Sequence, residues 1–169
     1  MKIENTSKND FLALIDIWER SVRATHDFLP EENIQTLKPL ILKHYFDAVD
    51  LRVVKTDEAK IVGFIGVAEG NIEMLFISPD NRNCGIGSLL LKNAIETQAA
   101  TKVDVNEQNE QALGFYEHIG FKVIGRSPLD GEGKPYPLLH VLIANARIQC
   151  TTPYNFHCSC LTTISYTSP

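Results

Sequence analysis

Lys2–Asn5 has the alternation of a short strand, and Phe11, Leu14, Ile15, Trp18 and Val22 then recur at helical spacing, with Ser7 and Asp10 placed as caps. Pro30 suits the first turn of a second helix, which carries Ile34, Leu37, Leu40 and Ile41 towards Phe46, and Pro39 is expected to kink or split it. Leu51–Lys55 and Ile61–Ala68 read as strands joined by the polar turn Thr56–Lys60, and Gly70-Asn71 turns the chain into a third strand, Ile72–Ile77. These three strands predict an antiparallel meander. A loop from Ser78 to Cys84 leads into a helix from about Gly85 to Gln98, and strand Val103–Asn106 completes a strand-helix-strand unit. Asn109 can cap a further helix reaching Ile119, and strands Lys122–Gly125 and Leu138–Ile143 flank a Gly/Pro-rich loop. No internal repeat is visible.

Composition narrows the class. The chain has 169 residues, 44% apolar and 22% charged, and a chain of this size buries roughly 70% of its extended surface, enough for a core without disulfides. The longest apolar stretch, Ile61–Ala68, falls far short of the ~20 residues of a spanning helix. The amino end, MKIENTSKND, carries acids and amides where a signal peptide places basic and then apolar residues. The expectation is a cytoplasmic protein that neither binds nor crosses a membrane. A net charge of −5 argues against nucleic acid as a partner, while leaving room for a local basic groove that binds a polyanionic cofactor.

No charged residue follows Arg147. Residues 148–169 are rich in Ser and Thr, hold three of the four cysteines and show no apolar period. The expected division is one domain over residues 1–147 and a disordered or non-native tail over 148–169. Cys150, His157, Cys158 and Cys160 lack the paired knuckle spacing of structural zinc sites, so no metal is expected there.

The informative segment runs from Met74 to Leu90: an apolar strand, a polar loop, two glycines, then an amphipathic helix. N–H groups at a helix start bind anions, Gly85 and Gly87 keep side chains out of the way, and Arg82 adds positive charge. A dinucleotide fingerprint needs a third glycine where Leu90 stands, although Asp104 lies near the spacing of its ribose-binding acid. A P-loop needs a Gly-Lys-Ser/Thr that this segment lacks.

Arg82-x-x-Gly85-x-Gly87 resembles motif A of the GNAT superfamily, the acetyl-CoA-dependent N-acetyltransferases. Asn109-Glu110-Gln111-Ala112-Leu113-Gly114-Phe115-Tyr116, followed by Gly120-Phe121, resembles its motif B. The flanks Ser21–Leu29 and Gly133–Leu139 resemble the YjaB-type bacterial branch, and the likeness covers about Met1 to Asn145. It implies an α/β fold, the GNAT acyl-CoA N-acyltransferase fold, with a mixed, mostly antiparallel central sheet flanked by helices. The sheet would be splayed between the motif A strand and Val103–Asn106, with the pantetheine arm in the gap. Phe76 and Ile77 would pair with that arm through their backbones, and Arg82, Asn83, Cys84, Gly85, Ile86, Gly87 and Ser88 would hold the pyrophosphate. Asn109, Ala112 and Tyr116 share one helix face along which the cofactor could lie. A monomer or homodimer is expected, with acetyl-CoA and an amine acceptor as partners.

An alkyl ammonium with a pKa near ~10.4 must lose a proton before it attacks, and a thiolate must gain one as it leaves. By resemblance, Glu73 is the candidate base, with Glu69 or an ordered water as competitors, and Tyr116 is the candidate acid. An N–H near Phe76 would stabilise the oxyanion. The alternative for Tyr116, a place in the core, suits Phe115 more readily. Cys84 near a helix start invites covalent catalysis, but it occupies a variable motif position, so direct amine attack in a ternary complex is favoured. The resemblance of the flanks makes Thr25, Phe28 and Tyr136 candidate acceptor-binding residues, and His26 beside Asp27 could polarise an acceptor. A protein lysine, a protein amino terminus and a small amine all remain open, and a non-catalytic acyl-CoA sensor of the same fold is the alternative.

Overall fold

Seven strands form one sheet: β1 (Lys2–Asn5), β2 (Asp50–Lys55), β3 (Ile61–Ala68), β4 (Asn71–Ile77), β5 (Lys102–Asn106), β6 (Phe121–Ser127) and β7 (Leu138–Ile143). Their spatial order is β1-β2-β3-β4-β5-β7-β6. The computed structural model describes residues 1–25, 30–131 and 133–143. The expected tail, 148–169, and Ala144 to Arg147 therefore lie outside the described residues, as do His26 and Phe28. Every neighbouring pair is antiparallel except β4 with β5. That exception follows from the helix between them, α3 (Ile86–Thr97), because parallel neighbours need a crossover connection.

Helices cover both faces. On one lie α1 (Phe11–Thr25) and α2 (Glu31–Leu40), whose Leu14, Trp18, Val22, Ile34 and Leu37 pack with Val53, Phe64 and Met74. On the other lie α3 and α4 (Glu110–Ile119), where Ile86, Leu90, Leu91 and Tyr116 pack with Ile65, Ile72, Val103 and Val105. This double cover explains why β3 is buried from Val62 through Val67, a continuous run rather than an alternation. Ser7 and Asp10 act on each other before α1: the Ser7 N–H and hydroxyl both donate to Asp10 Oδ2, at 2.9 and 2.8 Å.

The second helix passes through Pro39 and changes only afterwards, to a π turn over Ile41–Tyr45 and a 3-10 turn over Phe46–Ala48. Proline withholds one donor from the ladder, while Leu37, Ile41 and Phe46, all buried, hold the segment against the core. Among the described residues no helix is long and apolar enough to cross a membrane.

Candidate active site in the gap between two strands

The sheet opens at one place. β4 and β5 pair only at Asn71–Lys102 and Ile72–Val103, after which β5 stays with β7 and β4 with β3. The divergence starts at a bulge, since Met74 faces Gly66 and Ile72 faces Val67, leaving Glu73 as the extra residue. A bulge bends its strand and re-aims a side chain. Glu73 is buried, its Oε1 accepts from Asn71 Nδ2 at 2.9 Å, and it lines the cavity of about 450 Å³ that fills the gap.

Backbone alternation decides which groups of β4 face this cavity. Ser78 N–H donates to Val62 O at 2.9 Å, so by the two-residue period of an antiparallel ladder Phe76 exchanges its bonds with Phe64. The expectation that Phe76 offers its backbone to a ligand is thereby corrected. Leu75 and Ile77 present theirs to the gap, although the Ile77 carbonyl already accepts from Ser21 Oγ at 2.7 Å. Phe76 still lines the cavity, and its ring packs on Phe64 at 5.6 Å.

Past β4, a 3-10 turn at Pro79–Asn81 and positive φ values at Asn83 (59°) and Gly85 (77°) fold the loop back under the start of α3. The Gly85 conformation is one that L side chains rarely adopt, which is why glycine stands there. Leu89 N–H bonds Gly85 O at 3.0 Å, and the N–H groups of the first helical residues, Ile86, Gly87 and Ser88, precede the intrahelical ladder. Arg82, Asn83, Gly85, Ile86, Gly87 and Ser88 all line the cavity. Gly87 also serves packing, because a Cβ there would lie 3.3 Å from the Phe115 ring. Cys84 is outside this lining; it is exposed and its Sγ–H donates to Arg82 O at 3.4 Å.

Opposite the loop, Asn109, Ala112 and Tyr116 line the cavity from one face of α4. Asn109 Oδ1 accepts from Ala112 N–H at 3.0 Å and caps the helix. Tyr116, rather than Phe115, is the buried member of the pair, at 5% exposure, wedged edge-on against Phe115 and Phe121 at 5.2 and 5.4 Å. The expectation that Phe115 suits the core better is corrected: the helix turns Phe115 onto Gly87 and Tyr116 between sheet and cavity. Burial holds the Tyr116 phenol well above its ordinary pKa, so it stays protonated.

Thr25 lines the cavity, whereas Tyr136 does not and packs against the α1 core instead. Several lining residues escaped the sequence reading. Ser21 joins α1 to the site, since its hydroxyl reaches Ile77 and its carbonyl accepts from Arg82 Nη2 at 3.2 Å. Its signal was a polar residue on the apolar stripe of an amphipathic helix. Asn106 Nδ2 is buried and finds no partner among the described residues, while its Oδ1 accepts from Gln108 N–H at 2.8 Å. Asp104 lines the cavity too. Among the described residues no group of three His, Cys, Asp or Glu side chains could hold a metal ion.

A splayed parallel pair, a glycine-bearing loop that opens into α3 and a buried phenol across the gap thus line one cavity. Residues 25–134 match the acetyltransferase (GNAT) domain, and the chain belongs to the GNAT acetyltransferase family. It is similar to the peptidyl-lysine N-acetyltransferase YjaB of Escherichia coli K12, 44% identical over 133 residues, covering 79% of this chain and 90% of that protein. The Salmonella typhimurium protein of that name is 45% identical over 129 residues, covering 76% and 88%. The solution structure of apo YjaB from Escherichia coli superposes with a TM-score of 0.75 at 40% identity, covering 86% of this chain and 98% of that one. A PaiA N-acetyltransferase from Thermoplasma acidophilum, in complex with coenzyme A, shares the fold with a TM-score of 0.62 at 20% identity, covering 83% and 98%. The chain is an N-acetyltransferase, and acetyl transfer to an amine is its reaction class.

Proposed function

We propose that this chain moves acetyl from acetyl-CoA to the ε-amine of a lysine in a protein, by direct attack within a ternary complex. The observation that carries the reading is the gap itself: β4 and β5 part just where Glu73 bulges out, and Tyr116 lines the space they leave. The choice of acceptor rests on the similarity to proteins named peptidyl-lysine N-acetyltransferases. The compartment expected for the reaction is the cytoplasm.

In this reading the loop from Arg82 to Ser88 takes the pyrophosphate of acetyl-CoA through the N–H groups at the start of α3, with the Arg82 guanidinium adding charge. Leu75 and Ile77 offer the backbone edge along which an amide-bearing arm can lie as an added strand, and the Leu75 N–H is the donor suited to the developing oxyanion. Glu73, directly or through water, takes the ammonium proton, and the attacking nitrogen then meets the acetyl carbonyl. Tyr116 returns a proton to the leaving thiolate. The exposed position of Cys84, away from the cavity, favours direct attack over an acyl-cysteine.

Calorimetric titration with acetyl-CoA, CoA and NADH tests the cofactor side. CoA-type ligands are expected to bind and NADH is not, and Arg82→Ala is expected to raise the acetyl-CoA Kd about tenfold through loss of one charge-assisted contact. Equal affinity for NADH, or an Arg82→Ala titration identical to that of the unaltered chain, would overturn the assignment of the loop.

A further inference from the structure

Asp104 is the first residue of β5 beyond the last pair with β4, as Glu73 is of β4. Val103 and Val105 on either side point into the core under α3 and α4, so Asp104 stands on the opposite face, the one that α1 covers. It lines the cavity and its side chain is only 14% exposed. Two strands hold it there. His140 of β7, its cross-strand partner, places Nδ1 2.6 Å from Asp104 Oδ1, and His140 Nε2 lies 2.7 Å from Ser127 Oγ of β6. Gly125 makes room, because a Cβ there would lie 3.3 Å from the imidazole Cδ2.

An ionised Asp104 requires a hydrogen on Nδ1, which leaves Nε2 of the neutral ring to accept from the Ser127 hydroxyl. The carboxylate is thus fixed in the wall of the cavity by a chain running away from it, an arrangement that core packing alone does not call for. We propose that Asp104 is the acceptor-side anchor of the transferase, accepting hydrogen bonds from the cationic amine before it is deprotonated, and that His140 is its positioning residue. This rests on the acetyltransferase reading above and names the acceptor as an ammonium rather than an amine already neutral in solution. No covalent step is added. On β5 and β6 the strand register sets Lys102 and Lys122 on this same face, with Glu73 across the gap.

The test is initial-rate kinetics of the full chain with acetyl-CoA and two acceptors: an amino-terminally blocked lysine peptide, cationic at neutral pH, and methoxyamine, which is neutral there. Asp104→Asn is expected to lower kcat/KM for the lysine peptide about 30-fold or more, mostly through KM, and for methoxyamine less than about threefold. Its acetyl-CoA titration should match the unaltered chain, which also reports that it folds. His140→Gln is expected to raise KM for the lysine peptide about tenfold while KM for methoxyamine and the acetyl-CoA Kd stay within about threefold, a split that a merely structural role would not produce. Equal losses on both acceptors, or a lysine-peptide KM unchanged in His140→Gln, would overturn the anchor while leaving the transferase reading intact. An unaltered chain that turns over neither acceptor would overturn both.

Discussion

Replacing Tyr116 by Phe is expected to lower kcat for acetyl transfer about 100- to 1,000-fold, the usual worth of a positioned acid, while the acetyl-CoA Kd moves less than about twofold. The substitution removes one oxygen from a ring held by Phe115 and Phe121, so the aromatic packing and the fold survive it. A loss in kcat without a loss in binding is the signature of a group used only as the thiolate departs. The pH dependence follows from the same burial. A phenol held above its ordinary pKa remains the acid form throughout the neutral and mildly alkaline range, so Tyr116 contributes no alkaline limb to kcat below about pH 10. Stopped-turnover assays across pH, beside calorimetry, check both halves.

The second large effect concerns the loop. Gly85→Val is expected to raise the acetyl-CoA Kd at least about tenfold, because a β-branched residue at φ +77° costs roughly 1–2 kcal/mol or forces the loop to change shape. Space is not the obstacle, since a Cβ at Gly85 would meet nothing within 4 Å. The effect is therefore conformational and falls on the N–H groups that follow. Gly114 is the control: it lies inside α4 with open space around it, and Gly114→Ala is expected to stabilise the fold by about 0.5–1 kcal/mol with binding unchanged. Thermal unfolding and titration of the two variants separate a loop effect from a general glycine effect.

Much of this architecture is legible in the chain. Ile61–Ala68 and Leu138–Ile143 match their strands end to end, the helix capped by Asn109 begins where its motif says, and Gly70 sits at φ 76° in the turn expected before the third strand. These features are local: period, cap and turn chemistry are written within a few residues of where they act. What the residues themselves do not record, and only the resemblance implied, depends on pairing between distant strands. Nothing near Ile72 records that its neighbour across the gap is Val103 or that pairing stops there, and the bulge at Glu73 exists only relative to Gly66 and Val67. The direction of the Phe76 backbone is likewise a property of register, not of the residue. Ser21 and Arg82 meet across 61 positions and Asp104 and His140 across 36, separations over which no short motif extends.

Mass spectrometry of a peptide bearing both an unblocked amino terminus and a lysine, incubated with the chain and acetyl-CoA while thiol release is followed, tests the central claim most directly. The account predicts acetyl on the lysine side chain, one CoA thiol released per acetyl transferred, and a rate that collapses in Tyr116→Phe. Tight acetyl-CoA binding with no acetylated product, from this peptide or from small amines, would contradict it and leave a fold that holds acyl-CoA without using it.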